Sequence, residues 1–134
     1  MTFKADMERW SEDALRKLTE ATQKISLDVF SNVIRLSPVD TGRFKGNWQP
    51  SVGAPVAGEL ELLDPSGGTV TAKVSGFVEG VEAGDVIYMV NNLPYAESLE
   101  DGSSQQAPNG MVKLTVQRFQ PIADKVIAQI AASR

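Results

Sequence analysis

IYMVNNLPYAESLEDGSSQQAP, running from Ile87 to Pro108, decides how the rest of this chain is arranged. Val86 to Val90 is an apolar run rich in β-branched and aromatic residues, the composition of a buried strand. Asn91-Asn92 and Pro94 stop it, because proline has no ladder donor and asparagine favours turns. Tyr95, Ala96 and Leu99 then make one helical turn that directs Tyr95 and Leu99 inward. Gly102, after Glu100 and Asp101, supplies a left-handed turn residue. Ser103 to Gln106 is an uninterrupted polar loop, and Ala107-Pro108 opens a new helix. A strand, a sharp corner and a long polar loop in so short a span predict a surface fixed by the core and presented to a partner.

Upstream, one apolar stripe dominates. Phe3, Met7, Trp10, Ala14, Leu18, Ala21, Ile25, Val29, Val33 and Leu36 recur at steps of three and four, the signature of a long amphipathic helix. Thr2 is placed to cap it, and Asp6 and Glu8 suit the positive end of its dipole. Glu12–Arg16, Asp13–Lys17 and Glu20–Lys24 are acid-to-base pairs at i, i+4 on its wet side. No Gly or Pro intervenes before Pro38, so the helix ends near Leu36. About 33 residues make a rod of about 50 Å, longer than a chain of this size is wide. One end must therefore project or pack on a neighbouring subunit, and Trp10 and Met7 are either core or interface.

Pro38 to Asn47 is a turn-rich connector in which Asp40 can bond backbone two residues on and Gly42 can take positive φ. Trp48 buries its ring under the first helix and begins a strand towards Val52. Ala54 to Gly68, broken by Pro55 and Pro65, is a surface excursion with a turn or edge strand at Glu59 to Leu63. Residues 70–83 are ambiguous. Val70, Ala72 and Val74 alternate as in a strand, whereas Val70, Val74, Phe77, Val78 and Val81 form a helical face ending at Gly84. The larger number of matches favours a helix of about 14 residues. A last helix starts near Pro108 with a stripe of Val112, Val116, Phe119, Ala123, Val126, Ile127 and Ile130, kinked at Pro121. The expected fold is a single α+β domain over residues 1–134. A small mixed sheet of few strands packs against the long N-terminal helix and the kinked C-terminal one.

Composition removes much chemistry. The 134 residues contain no Cys and no His, so Cys–His and Ser–His–Asp sites cannot be assembled and zinc loses its two usual ligands. The lack of cysteine suits a reducing cytoplasm. Lys4, Asp6, Glu8 and Arg9 near the start do not read as a secretory signal, and no apolar run reaches membrane-spanning length. Charge is uneven: Ala54 to Asp101 holds nine acids and only Lys73 as a base, a net −8 against +4 for the remainder. Such a middle does not grip phosphate backbones. It is either a solvated surface or the lining of a channel along which DNA slides without sticking.

Two segments together carry a family resemblance. NNLPYA, LEDG and QAPNGMVKLTV follow an upstream SPVDTGRFKGNW, Ser37 to Trp48, about fifty residues earlier. In this the chain resembles the tail-completion, or head–tail joining, proteins of long-tailed bacteriophages, over roughly Met1 to Ile130 with the middle matching in pattern only. The resemblance implies a structural virion protein, made in the host cytoplasm and located at the head–tail junction (the neck). It implies a subunit without catalysis or cofactor. Its partners would be copies of itself in a ring, most simply a hexamer, with connector, neck, tail-tube or terminator proteins, while DNA passes through the lumen.

Candidate interface residues follow from exposure and position: Trp10, Arg43, Lys45, Tyr95, Glu100, Ser103, Ser104, Gln105 and Gln106. Arg43 and Lys45, flanking Phe44, are exposed bases suited to an acidic partner. Gln105 and Gln106 offer uncharged donors and acceptors to the edge of another subunit. No residue is assigned to catalysis, cofactor or metal. The competing reading is a small metal-dependent enzyme using Glu97, Glu100 and Asp101, which share one face of a helical turn. Asp40-Thr41 reads as a turn that caps the exit of the first helix.

Overall fold

A computed structural model describes residues 2–132. Helix α1 spans Phe3–Leu36, and the Thr2 hydroxyl accepts from the Ala5 N–H at 3.2 Å as its N-cap. Only its second half is packed. From Thr2 to Leu18 nearly every position is exposed, and Phe3 and Trp10 on the apolar stripe are 81% and 67% accessible. The projecting end expected from the length of the rod is therefore present, and Trp10 lies outside the core. Exposed ion pairs along α1 include Lys4–Glu8, Asp13–Arg16 and Glu20–Lys24. Arg16 thus takes the acid three residues back, Asp13, rather than Glu12.

After α1, the short helix α2 (Arg43–Gly46) leads into strand β1 (Trp48–Val52). Helix α3 (Gly68–Val78) follows the excursion, then strand β2 (Ile87–Asn91) and helix α4 (Ala96–Glu100). β1 and β2 pair antiparallel, from Trp48 opposite Asn91 to Val52 opposite Ile87. The α+β architecture holds, but this sheet is a two-stranded antiparallel ribbon without the parallel pairing of a mixed one. Pro50 is tolerated because each strand has an open edge.

The ambiguous segment is helical. Val70, Val74 and Val78 form its buried face, so packing overrides the low helix propensity of β-branched residues. The helix is shorter than expected, however, and Gly84 lies well past its end. The Gln23 amide of α1 donates to the carbonyls of Glu79 (3.3 Å) and Val81 (2.9 Å), and Thr19 Oγ1 accepts from the Ala83 N–H at 3.1 Å. Side chains of α1 thus satisfy the backbone that a longer α3 would have satisfied itself.

The C-terminal part also differs. Pro108 opens no helix; Ala107 to Gly110 is a turn closed by the Gly110 N–H on the Ala107 carbonyl at 3.2 Å. Helix α5 (Val112–Gln117) is followed by α6 (Phe119–Ala132). The kink expected at Pro121 is a break between two helices at Arg118, whose N–H bonds the Leu114 and Thr115 carbonyls. Proline cannot donate to Gln117 and its ring crowds that carbonyl, so it sits in the first turn of a new helix. In α6, Ala123, Val126 and Ile130 are buried, whereas Val112, Val116, Phe119 and Ile127 of the same stripe remain exposed. The core unites Val33 and Ile34 of α1, Phe44, Trp48, the α3 valines, Leu93, Ala107 and Met111. No described helix is long and apolar enough to cross a membrane.

Candidate functional site

The two segments that carry the resemblance meet in space. The Trp48 ring, buried in the core, donates from Nε1 to Ser37 Oγ at 2.9 Å. Ser37 in turn donates to the Val33 carbonyl at 2.7 Å, which ties the start of β1 to the end of α1. Asn91, opposite Trp48 in the ribbon, donates from Nδ2 to the Phe44 carbonyl at 2.8 Å. The Phe44 ring stands edge-on to Trp48 at 5.6 Å and tilted to Tyr95 at 6.2 Å. Gln106 reaches back across the chain to Val39: Oε1 accepts from the Val39 N–H and Nε2 donates to the Val39 carbonyl, both at 2.9 Å.

These contacts leave a cleft of about 220 Å³ between the Pro38–Phe44 connector and the Tyr95–Gln106 segment. Arg43, Tyr95, Ser104 and Gln106, four of the expected interface residues, line it together. Tyr95 is not tucked inward as its position in the helical turn predicted. Its ring is 40% exposed at the mouth of the cleft, and it is Leu93 that is buried. Thr41, not Asp40, shapes the connector: its Oγ1 accepts from the Arg43 N–H at 3.3 Å. Gly42 takes the positive φ expected of it, +88°, and a Cβ there would come within 2.3 Å of Pro65 N.

Several expected roles change. Lys45 is buried at 9% accessibility, so it is no exposed contact for an acidic partner; the stem of a long cation can lie along apolar surface in this way. Arg43 is paired with Glu59 at 3.1 Å, an ion pair in which both side chains remain partly open. Glu100 is a helix cap. Its carboxylate accepts from the N–H groups of Met111 (3.0 Å), Val112 (2.9 Å) and Lys113 (3.0 Å) at the start of α5. Partial burial pushes the Glu100 pKa up, but those three donors and the Lys113 charge outweigh it and hold the carboxyl below its ordinary range. Asp101 lies 3.5 Å from Lys113 Nζ. Glu97, Glu100 and Asp101 therefore do not converge, and among the described residues no group of three or more acidic, His or Cys side chains could hold a metal.

The polar loop is less uniform than its composition suggests. Ser104 Oγ accepts from the Gln106 N–H at 3.1 Å, and Gln106 is committed to Val39, so only Ser103 and Gln105 stand fully outward of these contacts. Trp10 is remote from the cleft, on the projecting part of α1.

Two residues that matter most for this geometry carried no local signal. Asn47, fully buried, donates from Nδ2 to the Arg43 (2.7 Å) and Leu60 (3.1 Å) carbonyls and accepts from the Leu60 N–H at 2.7 Å. It pins the excursion, which is neither a turn nor a strand at Glu59 to Leu63. Asp64 belongs to the acidic middle yet is buried, accepting from the Val70 N–H at 2.8 Å in the first turn of α3. Comparison with known protein families, with characterised proteins and with solved structures finds no significant match.

Proposed function

We propose that this chain is a structural subunit of the head–tail junction of a long-tailed bacteriophage, completing the tail and joining it to the head without catalysis. The observation that carries the reading is the convergence of its two signature segments. SPVDTGRFKGNW and the NNLPYA-to-QAP stretch are distant in sequence, yet Gln106 on Val39 and Phe44 against Tyr95 make them one surface. A surface built from side-chain clasps between loops, with Arg43, Tyr95, Ser103, Ser104 and Gln105 at or near it, suits recognition of a protein edge.

Ring formation fits the remaining features. Among the described residues neither outer edge of the two-stranded ribbon has a further strand partner, and the N-terminal half of α1 exposes its apolar stripe. Copies related by a closing rotation, six in our reading, would cover both, with the acidic middle towards DNA in the lumen. A metal-dependent reaction at Glu97, Glu100 and Asp101 has no observation in its favour, since Glu100 is occupied by backbone donors.

Replacement of Ser103 to Gln105 by Gly-Ser, sparing the Gln106 clasp, tests the reading. Stability should stay within about 1 kcal/mol of wild type, while tail attachment in a complementation assay falls. Imaging of the purified virion neck should show copies of the chain around the axis. A chain that is monomeric both in isolation and in the particle, by mass photometry with and without Mg²⁺ and by imaging, overturns the proposal.

A further inference from the structure

Two unpartnered apolar surfaces on this chain match one another. The first is the stripe on the projecting end of α1, where Phe3, Met7, Trp10 and Leu18 fall within about a quarter of the helix circumference at 100° per residue. All four are exposed. The second is a groove of about 300 Å³ whose floor and walls are almost wholly apolar, lined by Phe30 and Val33 of α1, Trp48, Met89, and Val112 and Val116 of α5. Phe119 also lines it, and the lining residue Val116 is 66% exposed.

We propose that the N-terminal half of α1 of one copy docks in this groove of a second copy, with Trp10 as the anchor. The same continuous helix supplies both the stripe and, through Phe30 and Val33, one wall of the groove. Trp10 and Phe30 are twenty residues apart along it, a separation of about 30 Å, so the stripe cannot reach its own groove. A second copy can, and the contact is head-to-tail: each chain offers a helix at one end and a groove at the other.

The area is modest. With large side chains burying roughly 150–250 Å² each, the exposed fractions of the four stripe residues amount to roughly 500 Å². The exposed fractions of Val112, Val116 and Phe119 add roughly 250 Å² on the groove side, which brings the buried total to about 750 Å², the size of a weak contact that gains strength by repetition round an assembly. A single interface of this kind covers both bare surfaces. Pairing α1 with α1 of another copy would leave Val112, Val116 and Phe119 in water. The inference rests on the ring reading only for closure of the assembly, not for the contact itself.

The test uses two full-length variants, Trp10→Glu and Val116→Glu, each at an exposed helical position that tolerates a charge without unfolding. Sedimentation should show concentration-dependent association of the wild type. Each variant alone should raise the dissociation constant by about thirtyfold or more, as expected for an anchor at the centre of an interface. An equimolar mixture of the two should form dimers and nothing larger, because only one intact helix and one intact groove remain to meet. Trp10 emission should shift to the blue in that mixed dimer when it is carried by the Val116→Glu chain. If Val116→Glu associates like wild type while Trp10→Glu does not, the helices pair with each other and the inference fails. It also fails if the mixture stays monomeric, or if both variants associate normally. A wild type that is monomeric at its highest soluble concentration, with its emission unchanged, overturns the docking contact. It does not touch the proposal of a ring assembled on the virion, which the neck imaging decides.

Discussion

Gln106 clasps the backbone of Val39 from both sides, accepting from its N–H and donating to its carbonyl at 2.9 Å each. A side-chain amide thereby mimics a strand partner for one residue of the connector. It joins a loop that no sheet reaches to the exit of α1. Because both bonds are solvent-accessible, Gln106→Ala should cost about 1 kcal/mol rather than several. Chemical denaturation should show that loss as a lower midpoint at unchanged slope. An unchanged midpoint would mean that the clasp does not hold in solution.

Gly102 has φ of +95°, and a Cβ there would lie 2.4 Å from the Pro108 carbonyl oxygen. Gly102→Val therefore meets backbone, not a movable side chain, and adds left-handed strain for a β-branched residue. The expected cost is about 2–4 kcal/mol. The melting temperature is the readout. A variant that melts with the wild type would show that the 100–110 loop has another conformation.

Glu100 makes stability depend on pH in a defined direction. Its carboxyl titrates lower in the folded chain than in the unfolded one, so the unfolded state binds the proton first as pH falls. The stabilisation is fully present above the ordinary carboxylate range and is lost as pH drops through the folded value. Glu100→Gln should be less stable than wild type by about 1 kcal/mol at neutral pH, as for loss of a helix cap. The difference should shrink towards zero in acid. Parallel denaturation curves at neutral and acidic pH test this, and a gap that stays constant would remove the charge from the explanation.

Asn47 is fully buried, with three hydrogen bonds to the backbone of Arg43 and Leu60. Truncation removes the side-chain partner of two carbonyls and one N–H in a part-buried site. Asn47→Ala should cost about 3 kcal/mol and free the 54–63 excursion. Limited proteolysis should then cut in that segment well before the rest of the chain. Resistance equal to wild type would show that the excursion is held by other contacts, such as the Asn92 amide on the Val56 and Gly58 carbonyls.

Periodicity and punctuation alone determined a good deal of this protein. The limits of α1, the strands at Trp48 and Ile87, the helical state of Val70 to Val78 and the positive φ of Gly42 and Gly102 were all legible. Each is a local matter: a stripe at helical spacing, a proline that stops a helix, a glycine where other residues are strained. What only the tertiary structure decided are the roles of polar side chains that act across long sequence distances. Glu100 caps a helix eleven residues on, Gln106 holds Val39 sixty-seven residues back, and Asn32 donates to Thr115. Glu100 and Gln106 read equally well as exposed contacts for a partner, because composition does not say whether a carboxylate or amide faces water or an orphan backbone group. The burial of Lys45 is illegible for the same reason, being set by neighbours that folding brings around it. Where α3 stops was likewise decided by Gln23 and Thr19, on a helix some sixty residues earlier. A backbone group bonds whichever partner packing brings within reach, and local sequence does not encode that distance.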